Sequence, residues 1–228
     1  MKSNKKHYFD IAILTILLLQ SIISIMFFAK DDWNVQKVAN KIISNVLTIT
    51  CTYDDLTEAK GTGVIIQNNT ILSVAHLFPD SKTTISIIAI KVNSLEEYEL
   101  TLLKKDSSID IAILEGDLEG DINFYNSDNV KYGDSILKIG NSLGYGLSLD
   151  EGIVSSPYKI VEIEETQREL IQISMQIYSG DSGAPVFNKY GKLIGIVSFK
   201  TTTSISTQAE LSFIVPSNII QNFINENN

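Results

Sequence analysis

Beyond residue 46 the sequence is cut into short apolar runs: GVII, TILSVA, ISIIAI, ELTLL, IDIAIL, SILKIG, GIVSS, LIQISM, APVF, LIGIVSF and LSFIVP. Gly, Asn, Asp and Ser separate them. Runs this short and this rich in β-branched residues suit strands, and no helical pattern alternates with them to suggest a parallel sheet. An all-β sandwich or barrel is expected. Asn68-Asn69 and Lys189-Tyr190-Gly191-Lys192 read as hairpin turns. Two departures from the strand rhythm frame this region. Val35, Val38, Ala39 and Ile42 recur at helical spacing, so residues 34–44 read as a short amphipathic helix feeding a strand at 46–52. At the other end Pro216 or Ser217 starts a helix whose Ile219, Ile220, Phe223 and Ile224 can pack back on a barrel.

The N-terminus has a different character. Ile11–Ala29 is an apolar stretch, interrupted by Thr15, Gln20, Ser21 and Ser24 and preceded by Lys2, Lys5 and Lys6. Its length is near the roughly 20 residues needed to span a bilayer, and Phe27-Phe28-Ala29 lacks the small residues a signal-peptide cleavage site requires. An uncleaved single-pass anchor is therefore expected over a cleaved signal, which would give a secreted protein. The lysines before the span and Asp31 and Asp32 after it put the N-terminus inside and the main domain outside the cytoplasmic membrane.

Charge and composition exclude other classes. The formal net charge is −9, and since Lys2, Lys5 and Lys6 against Asp10 make the leader basic by two, the remainder carries −11. Such a field repels phosphate backbones, so nucleic acid is not an expected partner. One cysteine cannot form an internal disulfide, and with two histidines it offers no metal-ligand cluster, so neither metal nor cofactor is expected. Cys51, inside VLTITC, reads as a buried inert thiol. No signal for an oligomeric state is present.

Three residues carry chemistry. His76 is the only histidine beyond the leader and follows an apolar strand in TILSVAHLF; alone, it would more often be structural. Ser182 lies in YSGDSGAPVF between Gly180 and Gly183, where close backbone N–H groups can face a developing oxyanion. Asp110, in SSIDIAILE, enters an apolar strand, and a buried acid is what orients a catalytic imidazole. The α/β-hydrolases run Ser, acid, His, but no histidine follows Ser182. The order His76, Asp110, Ser182 is that of the chymotrypsin-type triad.

These blocks resemble the chymotrypsin-like serine peptidases, most closely the HtrA/Deg branch. GTGVII (61–66), SVAHLF, KKDSSIDIAILE, IGNSLGYGLSLDEGIVSS, and IQISMQIYSGDSGAPVFNKYGKLIGIVSF followed by LSFIVPSN match its blocks in order over residues 35–220. The resemblance implies two Greek-key β-barrels, residues 30–130 and 131–228, with a short C-terminal helix, preceded by the cytoplasmic tip and membrane anchor at 1–29. It implies a serine endopeptidase acting on protein or peptide substrates, with His76 as general base, Asp110 as its orienter and Ser182 as nucleophile. The backbone N–H groups of Gly180 and Ser182 would form the oxyanion hole. Gln176 would sit at the base of the primary specificity pocket with Ile177 beside it, Ser198, Phe199 and Lys200 on the strand that pairs with substrate, and Ser212 on the far wall. Gln176 and Val197 match neither the trypsin-like preference for Lys or Arg nor the histidine of relatives cutting after Glu, so a neutral or polar side chain is expected before the cleaved bond.

Departures from the pattern matter too. The sequence ends after the expected terminal helix, so the PDZ module usual in that branch is not expected. Asp181 precedes the nucleophile where that branch has Asn, yet no basic cleavage site exists to create the new N-terminus that pairs this acid in secreted trypsin-like enzymes. Lys138, in SILKIGNS, is the expected internal cation for Asp181, forming a loop-stabilising pair. The competing functional class is a catalytically weak pseudoprotease, a membrane-anchored peptide-binding or chaperone domain; the presence of all three triad residue types argues against it.

Overall fold

A computed structural model describes residues 2–28, 33–163, 165–202 and 210–226; for 2–7, 25–28 and 200–202 only the backbone is described. The chain divides into two compact units, one ending at Asn34 and the other comprising Val35–Asn228.

The first unit is built on helix α1 (Lys2–Phe28), which takes in most of the expected anchor Ile11–Ala29; Ala29 lies outside the described residues. Among the described residues, no helix is long and apolar enough to cross a membrane. The transmembrane helix expected from hydropathy is thus without structural support. The described side chains run only from Tyr8 to Ser24, and polar positions interrupt them. The hydroxyls of Thr15 and Ser21 bond back to the carbonyls of Ile11 and Leu18, at 2.7 and 2.8 Å, so the helix satisfies part of its own polarity.

The second unit opens with α2 (Val35–Ile42), whose Ala39 and Ile42 are buried, and a single 3-10 turn leads into strand β1 (Val46–Tyr53). Strands β2 (Glu58–Gln67), β3 (Thr70–Ser73), β4 (Thr84–Lys91), β5 (Glu97–Glu99), β6 (Thr101–Asp106) and β7 (Ile111–Glu115) join it in one antiparallel sheet of order β5-β4-β1-β2-β3-β7-β6. Asn69, with φ +63°, turns β2 into β3, a conformation Asn tolerates better than most residues. Two Greek-key barrels were expected, and this half differs in form: it is a curled sheet with two edges. Its edge strands β5 and β6 are consecutive and separated only by Leu100, whose N–H still bonds Ile87 O at 2.8 Å. The chain therefore bends sharply at one residue, pairing with β4 before it and β7 after it. Leu47, Ile49, Val64, Ile65, Ile71, Leu72, Ile111 and Leu114 fill the interior and are fully buried, each contributing roughly 1.5–3 kcal/mol.

The other half closes. Strands β8 (Ser135–Gly140), β9 (Ser148–Ile163), β10 (Thr166–Ile173), β11 (Pro185–Asn188), β12 (Leu193–Thr202) and β13 (Glu210–Pro216) form a barrel of order β10-β13-β12-β11-β8-β9. Its core gathers Ile136, Val154, Ile171, Ile173, Val186, Ile194, Val197 and Ile214. The β11–β12 turn falls at the expected Lys189–Lys192 segment, where the Asn188 side-chain oxygen accepts from the N–H groups of Tyr190 and Lys192. Helix α3 (Ser217–Asn225) buries Ile220 and Phe223. Lys104, from the curled sheet, donates to the Phe223 carbonyl at 2.8 Å, satisfying an orphan acceptor at the helix end.

Candidate active site

The two halves meet along a seam of hydrogen bonds, and the three chemically singled-out residues lie on it. Thr62, fully buried on β2, is its centre: its N–H donates to Ser182 O at 2.8 Å, its hydroxyl donates to Gly180 O at 2.8 Å and accepts from Asn141 N–H at 3.0 Å. One residue of the first half, through its backbone and its side chain, thereby fixes the backbone carbonyls of Gly180 and Ser182.

His76 sits in a 3-10 turn (Ala75–Leu77) directly after β3. Asp110 opens β7 from a left-handed backbone conformation, φ +59°, which aspartate adopts more readily than most residues. The turn and the strand start face each other, because β3 pairs with β7. The imidazole Nδ1 lies 3.0 Å from Asp110 Oδ2, and the His76 backbone N–H donates to Oδ1 at 3.0 Å. On the other side of the ring, Nε2 lies 2.8 Å from Ser182 Oγ. The side chain of His76 is 45% exposed while that of Asp110 is 3% exposed. The acid is thus kept from water and the base is open to it. Burial alone would raise the Asp110 pKa, but the hydrogen bonds and charge of His76 and the bond from Ser198 outweigh it and hold the carboxyl below its ordinary range.

Ser198 reaches Asp110 from the second half, its hydroxyl donating to Oδ2 at 2.5 Å. Ser198 lies on β12, the strand expected to pair with substrate through its backbone, and its side chain is buried against the acid. The cause is a local irregularity in β12, where the register with β13 shifts between Val197 and Phe199. A bulge at this point re-aims one side chain without disturbing the strand.

Nucleophile-loop geometry depends on glycine. Gly180 has φ +93°, and a Cβ there would stand 2.1 Å from Asn141 O; Gly183 has φ +84°, and a Cβ there would stand 2.1 Å from Thr62 O. Among the described residues no acceptor takes the N–H of Gly180 or Ser182. Between them, Asp181 points inward. Its carboxylate, fully buried, lies 2.7 Å from the equally buried Lys138 ammonium and accepts from Ser142 Oγ at 2.7 Å and Tyr178 N–H at 2.9 Å. Lys138 also donates to Gln176 O at 3.0 Å and lies 2.9 Å from Asp150. Every polar atom of this buried cluster has a partner of opposite kind, the condition under which burying charge is tolerable.

The remaining expected site residues are less concentrated. Gln176 is exposed, and its side-chain oxygen accepts from the Tyr178 hydroxyl. Ile177, next to it in the chain, faces the barrel core and is 4% exposed. Phe199 stacks on Phe213 with ring centroids 5.1 Å apart. Ser212 is buried on β13, opposite Lys200, whose backbone continues β12 and whose side chain lies outside the description. Sequence reasoning missed four side chains that serve this site: Ser142 and Asp150 in the cluster around Lys138, Thr62 at the seam, and Arg168, which approaches Asp110. Only Thr62 carried a signal, by standing between the glycines of GTGVII.

A curled antiparallel sheet and a closed barrel, sharing a Ser–His–Asp hydrogen-bonded chain at their seam, define the chymotrypsin-like class of serine peptidase domain. The pattern of the trypsin-like peptidase domain matches residues 61–196. The chain belongs to this family, on its HtrA branch. A probable periplasmic serine endoprotease, DegP-like, of Pseudomonas fulva is 31% identical over 71% of this chain and 33% of its own length. The serine protease Do-like HtrA of Bacillus subtilis is 29% identical over 74% of this chain and 39% of its own. The magnetosome formation protease MamE of Paramagnetospirillum magneticum is 30% identical over 72% and 23%. The chain thus spans well under half the length of these curated relatives. Among solved structures, the HtrA-type protease AlgW with tripeptide superposes with a TM-score of 0.71 at 23% identity, over 85% of this chain and 64% of AlgW, a likeness of fold.

Proposed function

We propose that this protein is a serine endopeptidase that hydrolyses peptide bonds of extracytoplasmic proteins through an acyl-enzyme. The observation that carries the reading is the placement of His76 Nε2 at 2.8 Å from Ser182 Oγ while Nδ1 is held by the buried Asp110. That geometry assigns the ring its tautomer: Nδ1 carries the proton shared with the carboxylate, and Nε2 is the free base. Ser182 Oγ attacks the substrate carbonyl carbon as its proton moves to Nε2, and the carbonyl oxygen becomes an oxyanion facing the N–H groups of Gly180 and Ser182. The tetrahedral adduct collapses as His76 gives that proton to the departing amine, leaving an ester on Ser182. Water then attacks the ester, with His76 taking its proton and returning one to Ser182 Oγ. Asp110 stays ionised throughout and stabilises the imidazolium.

Lys138 and Asp181 are proposed to hold the nucleophile loop in its working shape without an activating cleavage. The backbone of Ser198, Phe199 and Lys200 is the proposed strand-pairing edge for substrate, with Gln176 and Ser212 near the side chain before the cleaved bond. Membrane attachment through 11–29 is supported by the uncovered apolar side chains of α1, among them Leu14, Leu17, Leu18 and Ile23. Extracytoplasmic action is supported by the printed descriptions of relatives as periplasmic. The decisive experiment is labelling of the full chain by an active-site fluorophosphonate. Covalent labelling of the wild type, absent in Ser182→Ala, is expected; an unlabelled wild type of intact fold would refute the enzyme and favour a binding domain.

A further inference from the structure

Arg168 is the one cation of the described second half that reaches the catalytic acid. It projects from β10, pairs across the hairpin with Val161, and brings Nη1 to 3.9 Å from Asp110 Oδ2 while Nη2 donates to Ser107 O at 2.9 Å. Its side chain is only 12% exposed, and its Nε is the one buried side-chain nitrogen or oxygen among the described residues without a hydrogen-bond partner. A guanidinium held this far from water with an unused donor is unfavourable on its own. Purely structural anchoring of Ser107 would need one donor and no charge, and a neutral residue could serve. Retaining a permanent cation here calls for a use of the charge.

Among the described residues the only carboxylate within ion-pair distance of Arg168 is Asp110, whose two oxygens are otherwise taken by His76 Nδ1, His76 N–H and Ser198 Oγ. Of the other charged groups near this turn, Lys105 from β6 lies 2.6 Å from Asp80, Asp181 beside Ser182 faces Lys138, and Asp106, in no ion pair among the described residues, accepts from the N–H and hydroxyl of Ser108. Arg168 is therefore the charge that sets how much of the Asp110 field reaches the imidazole. At an ion-pair separation in a partly dry site, a unit charge is only partly screened and acts on its neighbour's protonation.

We propose that Arg168 is a positioning residue for the catalytic couple: from the closed barrel it fixes the Ser107–Asp110 loop and offsets the Asp110 charge, weakening the acid's hold on a protonated imidazole. This rests on the peptidase reading and deepens it. A positive charge next to the acid opposes formation of the imidazolium at rest. Its removal strengthens the hold of Asp110 on a protonated ring, and activity should then be lost at a higher pH than in the wild type.

The test is the pH dependence, from 5 to 9, of the second-order rate of fluorophosphonate labelling in the full chain, for wild type, Arg168→Gln, Arg168→Met and Arg168→Lys. The neutral variants should shift the acid limb upward by roughly half to one pH unit, and Arg168→Lys should leave it in place even if its plateau falls. A limb in Arg168→Gln that coincides with wild type, at any plateau rate, overturns the proposal. So does failure of both neutral variants to fold while Arg168→Lys folds, because that would make Arg168 an architectural cation. A wild type that does not label at all would refute the peptidase reading instead. In that event the ¹⁵N-imidazole titration of His76, assigned by its absence in His76→Gln, still reads the effect of Arg168 on the ring: a curve unchanged in Arg168→Gln overturns the inference, and a shifted one supports it.

Discussion

Lys138 Nζ and Asp181 Oδ2 lie 2.7 Å apart, with neither side chain exposed to solvent. Breaking one partner of such a pair leaves an uncompensated buried charge, which typically destabilises by about 3–5 kcal/mol. Lys138→Ala is therefore expected to lower both the urea midpoint and the turnover. Lys138→Met combined with Asp181→Asn, which removes both charges, should recover most of the stability. Charge-swapped Lys138→Asp with Asp181→Lys should recover part of the turnover. Asp150, the second carboxylate on Lys138, is 43% exposed, so Asp150→Asn should change stability by less than about 1 kcal/mol. Turnover in Lys138→Ala equal to wild type would sink the proposed role of the pair.

Ser182→Ala and His76→Ala are each expected to reduce hydrolysis of casein by on the order of 10⁴-fold or more, while the thermal midpoint moves little. The two substitutions combined should cost no more than either alone, since the residues act as one unit. A Ser182→Ala protein that cuts at the wild-type rate would remove the assignment.

Ser198→Ala takes from Asp110 a bond to a charged acceptor, a loss of about 1.5–3 kcal/mol in typical cases. The carboxylate keeps its two contacts with His76, so the expected result is a fall in kcat of roughly tenfold with KM little changed. A change confined to KM would overturn this role for the Ser198 hydroxyl.

The acid limb of activity should follow a single proton. Asp110 is held below the ordinary carboxylate range, so it stays ionised where an imidazole titrates, and activity should fall as pH drops because the base becomes protonated. With its folded pKa depressed, Asp110 adds stability that is present above its unfolded value and lost as pH falls through the folded one. Thermal midpoints should accordingly decline only at pH values below the activity limb. Coincident losses of activity and stability would contradict this separation.

Cys51 is fully buried, and burial pushes its thiol up to about 12. Because the folded pKa is raised, its contribution to stability is complete below the unfolded value near 8.5 and fades as pH rises towards the folded one. The thiol should resist iodoacetamide at pH 8 in the native protein and react once urea unfolds it. Rapid native labelling would place Cys51 at the surface.

How much of this was legible in the sequence differs residue by residue. His76, Asp110 and Ser182 stood out through their order and neighbours, and Lys138 only through the family resemblance, which places it on a strand neighbouring the Ser182 loop. Short strands were legible because each apolar run ends in turn chemistry that acts locally. The bond from Ser198 to Asp110 was not legible because a strand pattern assumes regular alternation, and the register with β13 shifts beside this residue. Arg168 was invisible because an arginine in TQRELIQI looks like a solvated strand residue, and its burial is decided by a loop some sixty residues away. Membrane crossing was inferred from hydropathy over Ile11–Ala29, and among the described residues no helix is long and apolar enough to show it.

The hydrogen-bonded chain at the seam draws His76 and Asp110 from one half of the domain and Ser182 from the other, with Thr62 and Ser198 tying the two together. A polypeptide that has finished only its first half has a base and an acid but nothing for them to activate. On the proposed reading, the triad is complete only once the two halves have docked. A molecule whose second half is still being synthesised would then be chemically silent, and its neighbours and its own unfolded segments would be safe from it until that docking.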